Sequence, residues 1–263
     1  MRSKPSLLIF GGFDTASMPE IGYGSQRGGL RRRLVHRTAG LATRLVTNSD
    51  YSLSEIGENT TIDPARVTVV HHGIPDRFAD APAAPARKRR ALTVGAVYSV
   101  NLTRKGHGSF VEAASGLPDV EFVLAGAWWD ATGERLARES PSNVRLTGYL
   151  SDGELDELFR TSAVYVQPSL HEGFGMSLAE AMLAGAVPVV TRAGALPEVV
   201  GETGVVIEGP TAETVAAGIR RALELGPAAG IAARERIRTT FPYERRRDGI
   251  LAEVQLALEG RRS

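Results

Sequence analysis

The chain has 263 residues, a formal net charge of +1 from 31 basic and 30 acidic side chains, and no cysteine. The absence of cysteine excludes a disulfide scaffold, a thiolate zinc site and a cysteine nucleophile. A balanced charge with 6% aromatic residues leaves no footprint for a nucleic-acid partner, and no apolar run approaches the roughly 18–20 residues of a membrane span.

From the N-terminus, Leu7–Phe10 is the first expected strand, too short for a signal-peptide core, so the expected location is cytoplasmic. It runs into Gly11-Gly-Phe-Asp14, read either as a plain turn or as a loop lining a cleft. Further short apolar runs follow at Leu45–Thr47, Val67–Val70, Leu92–Val97, Val120–Ala125, Val144–Thr147, Ala163–Gln167, Val187–Thr191 and Gly204–Ile207. Most are apolar throughout and bounded by Gly or Pro, the pattern of strands buried on both faces of a parallel sheet. Between the third and fourth runs, Ala81-Pro-Ala-Ala-Pro-Ala86 reads as a linker, and Arg87–Arg90 as a solvated lead-in to the next strand.

Helical patterns alternate with these runs. Phe110–Ala114 is one. Ser151–Arg160 opens with a capping-box signature and aligns Leu155, Leu158 and Phe159 on one face. Ser177–Ala184 stops at Gly185, and Thr211–Leu225, Ala228–Thr239 and Glu244–Glu259 complete the set. Strand–helix alternation of this kind predicts right-handed βαβ units in a doubly wound α/β fold.

The segment His171-Glu-Gly-Phe-Gly-Met-Ser-Leu-Ala-Glu180 carries the chemistry. It leaves a buried strand where ligands of open parallel sheets bind. Its glycines allow close backbone approach, and the helix behind it points its positive end at the loop, which suits a phosphate. Glu172 and Glu180 bracket this anion site. Carboxylates beside phosphates match sugar hydroxyls, so the ligand that satisfies all of these groups is a nucleotide sugar. Glu180 also fits a capping box with Ser177, and that alternative stays open. Adjacent His71 and His72, on an expected strand, would point to opposite faces and chelate poorly, so no metal is expected.

The E-x7-E spacing of Glu172 and Glu180, inside Pro-Ser-Leu-His-Glu-Gly-Phe-Gly-x-Ser-Leu-Ala-Glu-Ala-Met, resembles the signature of family-4 retaining glycosyltransferases of the GT-B fold. Other segments resemble family blocks in the same order: Thr47-Asn-Ser49, Val69-Val-His-His-Gly73, Arg104-Lys-Gly106, Val144–Tyr149, Ala186–Thr191 and Gly194–Val200. The resemblance implies a GT-B-like α/β fold. One complete Rossmann-like doubly wound domain (84–240) would bind the donor. A partial N-terminal α/β domain (1–83) would serve the acceptor side, and a C-terminal helix (241–263) would return toward it. It implies transfer of a hexose from a nucleotide-diphosphate sugar to an unknown acceptor with retention, by front-face substitution without a protein nucleophile, cofactor or metal.

Residue by residue, the resemblance implies that Lys105 stabilises the departing nucleoside diphosphate and Glu172 binds the transferred sugar. The backbone N–H groups of Gly173, Phe174, Gly175 and Met176 lie near sugar or phosphate, and Glu180 takes the ribose. The family's Arg, about six residues before the Lys, is absent from Ala96–Asn101; either Arg104 replaces it or the phosphate site is weakened. The loops at Gly126–Trp128 and Gly148–Tyr149 would approach the base, and Asp14 would be a sugar or acceptor contact in the N-domain loop where many family members carry a His. Roughly 80 residues before the linker are few for an acceptor domain. The alternative reading is therefore a partner-dependent donor-binding subunit or remnant, with a homo-oligomer or a partner chain completing the N-terminal domain.

Overall fold

A computed structural model describes residues 4–79 and 86–259. The Pro-rich segment Ala81–Ala86 lies outside the described residues except for Ala86. The chain divides into two compact units, Met1–Pro75 with Phe241–Ser263, and Asp76–Thr240.

The first unit holds a parallel sheet in the order β1 (Leu7–Phe10), β2 (Arg44–Thr47), β3 (Val67–Val69). Helices α1 (Gly29–Leu41) and α2 (Asp50–Asn59) connect the strands. The core gathers Phe10, Ala39, Leu45, Ile56 and Val67. Neither helix was among the expected ones. α1 carries Arg31–Arg33, buries only Ala39 and has no side-chain cap, so no apolar stripe or start signal marks it. The C-terminal helix α10 in this numbering, Tyr243–Glu259, packs on the same unit. Glu253 lies 2.7 Å from Arg44 of β2, and Arg246 donates to the Val70 carbonyl. His71 and His72 follow the end of β3 rather than lying on it, which removes the expected strand alternation. Burial and the nearby Arg246 push the His72 imidazole down to about 4.

The second unit is a six-stranded, wholly parallel sheet in the order β6-β5-β4-β7-β8-β9. Its strands are β4 (Lys88–Val94), β5 (Glu121–Ala125), β6 (Val144–Leu146), β7 (Ser162–Gln167), β8 (Val187–Thr191) and β9 (Val205–Ile207). Its helices are α3 (Ser99–Arg104), α4 (His107–Ala113), α5 (Thr132–Glu139), α6 (Asp152–Thr161), α7 (Met176–Leu183), α8 (Leu196–Val200) and α9 (Ala212–Thr240). The chain builds outward from β4 in one direction, then returns to β7 and builds in the other. The sheet therefore has a topological switch point between β4 and β7, where an open α/β sheet forms its ligand crevice. One face buries Val164 and Val166 of β7 with Phe110, Phe122, Leu124, Val189 and Ile219.

Local signals held where a specific hydrogen bond enforces them. Ser151 and Glu154 form a reciprocal capping box at α6. α7 ends as Gly185 N–H and Ala186 N–H donate back to Met182 and Ala181, at 2.8 and 3.0 Å. α9 is broken at the non-helical Gly226 before Pro227, giving the two helices expected there. Two expectations fail at β4. The strand begins four residues before Leu92, inside the basic run, and ends at Val94 rather than Val97. Nor is the run solvated throughout: Lys88 and Arg89 are exposed, but Arg87 and Arg90 are not. Arg87 donates to the carbonyls of Phe159, Ser162 and Ala184, and buried Arg90 donates to Glu121 at 2.8 Å and Thr161 at 3.0 Å.

Candidate functional site

Two loops meet at the switch point. After β4 the chain passes through Gly95–Tyr98 and α3 to Lys105; after β7 it passes through Pro168–Leu170 to Glu172. Leu170 N–H donates to the Arg104 carbonyl at 2.8 Å, tying the loops together. Gly106 has φ +68°, and a Cβ there would stand 2.1 Å from the Pro168 carbonyl oxygen, so only glycine permits this approach. Glu172 is clamped from a third loop: Ala195 N–H donates to its carbonyl at 2.9 Å, and a Cβ on Gly194 (φ +63°) would collide with that same oxygen. The backbone around both charged residues is thus fixed before any ligand arrives.

The Lys105 ammonium is ion-paired with Glu172 Oε2. Gln167, at the buried end of β7, donates to the same Oε2 from Nε2 at 2.7 Å. Two donors therefore hold one carboxylate oxygen and leave Oε1 as spare acceptor capacity. Tyr165, two residues earlier on the same face of β7, is fully buried. Burial, then the carboxylates of Glu172 and Glu180, push its phenol far up, so it stays neutral.

Helix α7 begins at Met176 behind Gly175 (φ +100°), and no side chain caps it. The expected Ser177–Glu180 capping box does not form, because the helix starts one residue before Ser177. Glu180 instead faces Arg77, whose Nη1 is 3.4 Å from Oε1. Burial raises the Glu180 carboxyl, Arg77 opposes that rise, and Asp156 and Asp152 add to it. An uncapped helix N-terminus of this kind attracts anions.

The remaining expected residues separate. Arg104 donates from Nε and Nη2 to Asn101 Oδ1 at 3.1 and 2.8 Å, within its own helix. Gly173 and Gly175 shape the loop, the Phe174 ring is buried, and Met176 is exposed. Asp14 lies in the first unit, where Oδ2 accepts from Gly11 N–H at 3.1 Å and closes the turn. Around the loops that follow β4, β5 and β6, Val97 N–H donates to Ala127, Trp129 N–H to Val97 and Gly126 N–H to Gly148, at 2.8, 3.0 and 3.1 Å. This lattice stacks Tyr98 on Trp129 with ring centroids 5.0 Å apart. Gln167, Arg77 and the Tyr98–Trp129 pair were not among the expected site residues. Gln167 had a readable signal, a polar side chain closing an otherwise apolar strand; Arg77 had none.

Residues 80–239 match the family model described as "Glycosyl transferases group 1". The D-inositol 3-phosphate glycosyltransferase of Mycobacterium tuberculosis (strain H37Rv) is 30% identical over 244 residues, covering 82% of this chain and 49% of that protein. The chain thus spans about half the length of the curated relatives it matches. Among solved structures, Anabaena HepE in complex with UDP and glucose superposes with a TM-score of 0.77 at 17% identity, over 95% of this chain and 71% of that one. Sucrose-phosphate synthase from Thermosynechococcus elongatus gives a TM-score of 0.75 at 20% identity, over 96% and 68%. At such identities the likeness shows the fold, which is GT-B-like α/β with parallel sheets. With its family model spanning more than half of its length, the chain belongs to the group 1 glycosyl transferases.

Proposed function

We propose that the chain takes part in transferring a hexose from a nucleotide-diphosphate sugar to an acceptor hydroxyl, with retention of configuration. The observation that carries this reading is the convergence of Lys105 and Glu172 at the β4/β7 switch point, beside the uncapped start of α7. Lys105 has three donors, so it keeps Glu172 and reaches a diphosphate oxygen as well. As the bond from the sugar's anomeric carbon to the diphosphate oxygen breaks, negative charge builds on the nucleoside diphosphate. Lys105 and the α7 N-terminus stabilise it. The acceptor oxygen bonds to the anomeric carbon on the same face, and its proton passes to the departing phosphate oxygen. Glu172 Oε1 accepts from a hydroxyl of the transferred sugar, and backbone groups of Gly173–Met176 lie along sugar and phosphate. Glu180 accepts from the ribose, Arg104 adds positive charge, and Asp14 serves the acceptor side. The name of the mycobacterial relative supports glycosyl transfer, and the UDP and glucose bound to HepE support a nucleotide-sugar donor.

A second reading, a donor-binding subunit completed by a partner chain, is favoured by one observation. The first unit exposes Leu30, Leu34 and Leu41 of α1 and Leu251, Leu256 and Leu258 of α10. The discriminating experiment incubates the purified chain with a panel of nucleotide sugars and follows release of nucleoside diphosphate. Turnover by the chain alone supports the first reading, nucleotide binding without turnover supports the second, and binding of no nucleotide sugar overturns both.

A further inference from the structure

Arg77 lies outside every motif segment, yet its surroundings are built as firmly as those of Lys105. Asp76 Oδ1 accepts from Phe78 N–H at 3.1 Å, and Asp76 Oδ2 lies 3.4 Å from Arg234 and 3.5 Å from Arg238. Arg234 also donates to the Phe78 carbonyl at 3.1 Å, and the Phe78 ring is buried. The backbone on both sides of Arg77 is thereby fixed to α9. The guanidinium lies over Phe78 and Phe159, 5.3 and 5.7 Å from the ring centroids, which holds its plane. Its Nε is 2.8 Å from Asp156 on α6, and its Nη1 is 3.4 Å from Glu180 on α7.

The two contacts are unequal. Asp156 has the close one and anchors the cation; Glu180 has the longer one, on Oε1 only, and its side chain stays 24% exposed. Glu180 Oε2 has no described partner. The charged and titratable groups facing Glu180 are Arg77, Asp156 and Asp152 of α6, and Tyr165 of β7. A half-buried carboxylate among other acids accepts two hydroxyls well only if it is ionised and held in one rotamer, and Arg77 supplies both conditions.

We propose that Arg77, anchored by Asp156, is a positioning residue that fixes Glu180 so that its free oxygen accepts from the vicinal hydroxyls of the donor ribose. This rests on the nucleotide-sugar reading of the site. A mere clip between α6 and α7 would have no connection to those hydroxyls, and the test turns on that difference. UDP, ADP and GDP, each paired with its 2′,3′-dideoxy counterpart, are titrated calorimetrically into the full chain and its variants Arg77→Gln, Arg77→Lys and Glu180→Gln. The wild type is expected to prefer one ribose nucleotide over its dideoxy form by about 10- to 100-fold. Arg77→Gln is expected to lose about tenfold of that preference, more at pH 6 than at pH 8, with dideoxy affinity within about twofold of wild type. Arg77→Lys is expected to restore part of it, and Glu180→Gln to match Arg77→Gln. Equal weakening of both ligand forms by Arg77→Gln, or a wild type blind to the hydroxyls, overturns the proposal while leaving the nucleotide site standing. A wild type that binds none of the nucleotides overturns the underlying reading and this proposal together.

Discussion

The two ends of the β4–β7 pair in the six-stranded sheet both bring cations into partly buried surroundings, and they use them differently. At the amino end, Arg87 spends its donors on three main-chain carbonyls and Arg90 is paired with Glu121 and Thr161. Burial pushes the Arg87 guanidinium down to about 10, which still leaves it protonated at neutral pH. A cavity of about 560 Å³ opens beside it, lined among others by Ala163, Val187, Ala222 and Pro227, with no side-chain acceptor among its described lining residues. At the carboxyl end, Lys105 and Arg77 each meet a glutamate that keeps one oxygen free among the described residues, and Gln167 and Ser169 each bury an oxygen with no partner among them. A buried cation with all its donors committed to the fold is structure. A partly buried cation that holds one edge of a carboxylate and leaves the other edge open has the arrangement that the proposed site uses. The size of the cavity does not decide between them.

The sharpest way to break this comparison is to remove one cation from each end. Lys105→Ala is expected to lower donor turnover by at least about 100-fold, the scale of losing one charge-stabilising group, with the thermal midpoint little changed. Arg87→Ala is expected to do the reverse. Leaving carbonyls without partners costs about 1–3 kcal/mol each, so thermal denaturation should show a large fall in stability while turnover per folded molecule stays near wild type. If both variants lose only stability, the distinction between the two ends fails.

Smaller effects sharpen it. Gln167→Leu removes one of the two donors on Glu172 Oε2 and is expected to cost about 1.5–3 kcal/mol of transition-state stabilisation, read as a fall in kcat/KM. His107, packed against Gly95 at the carboxyl end, tests a different burial cost. It is buried with no partner on either ring nitrogen, and burial, then Lys105 and Arg104, push it down to about 3. Its folded value lies below its unfolded one, so the unfolded chain binds the extra proton as pH falls below about 6.5, and stability is lost at up to about 1.4 kcal/mol per pH unit. Urea denaturation of His107→Leu between pH 7 and 4 should show a shallower decline than wild type; an unchanged slope assigns the decline to other groups. Smallest of all, Ser151→Ala should remove the α6 capping box for about 1 kcal/mol, lowering the midpoint by a few degrees without touching turnover.

Much of this architecture was legible in the sequence, because its signals are local. Glu172 and Glu180 stand out since a glycine-rich break separates a buried strand from a helix, and the α6 capping box and the stop at Gly185 are hydrogen bonds written in a few consecutive residues. The rest depends on partners distant in the chain. Arg77 is about a hundred residues from Glu180, and nothing in its own neighbourhood announces that contact. Lys88–Arg90 looked unlike a strand because Glu121 and Thr161, which satisfy Arg90, come from other elements. Ser177 looked like a helix cap, but the left-handed Gly175 starts the helix earlier and frees Glu180 to meet Arg77. Asp14 marked its turn as well as it marked a ligand contact, and in the structure its carboxylate serves the turn.

At the carboxyl end of the six-stranded sheet, the proposed place of a nucleotide-sugar diphosphate is between Lys105 and the start of α7. Calorimetric titration of nucleoside diphosphates into the wild-type chain and Lys105→Ala tests it most directly. The account predicts one-to-one binding of at least one nucleoside diphosphate, weakened in the variant by about 30- to 1000-fold, equivalent to about 2–4 kcal/mol. Equal affinity in both proteins, or no binding to the wild type, would contradict it.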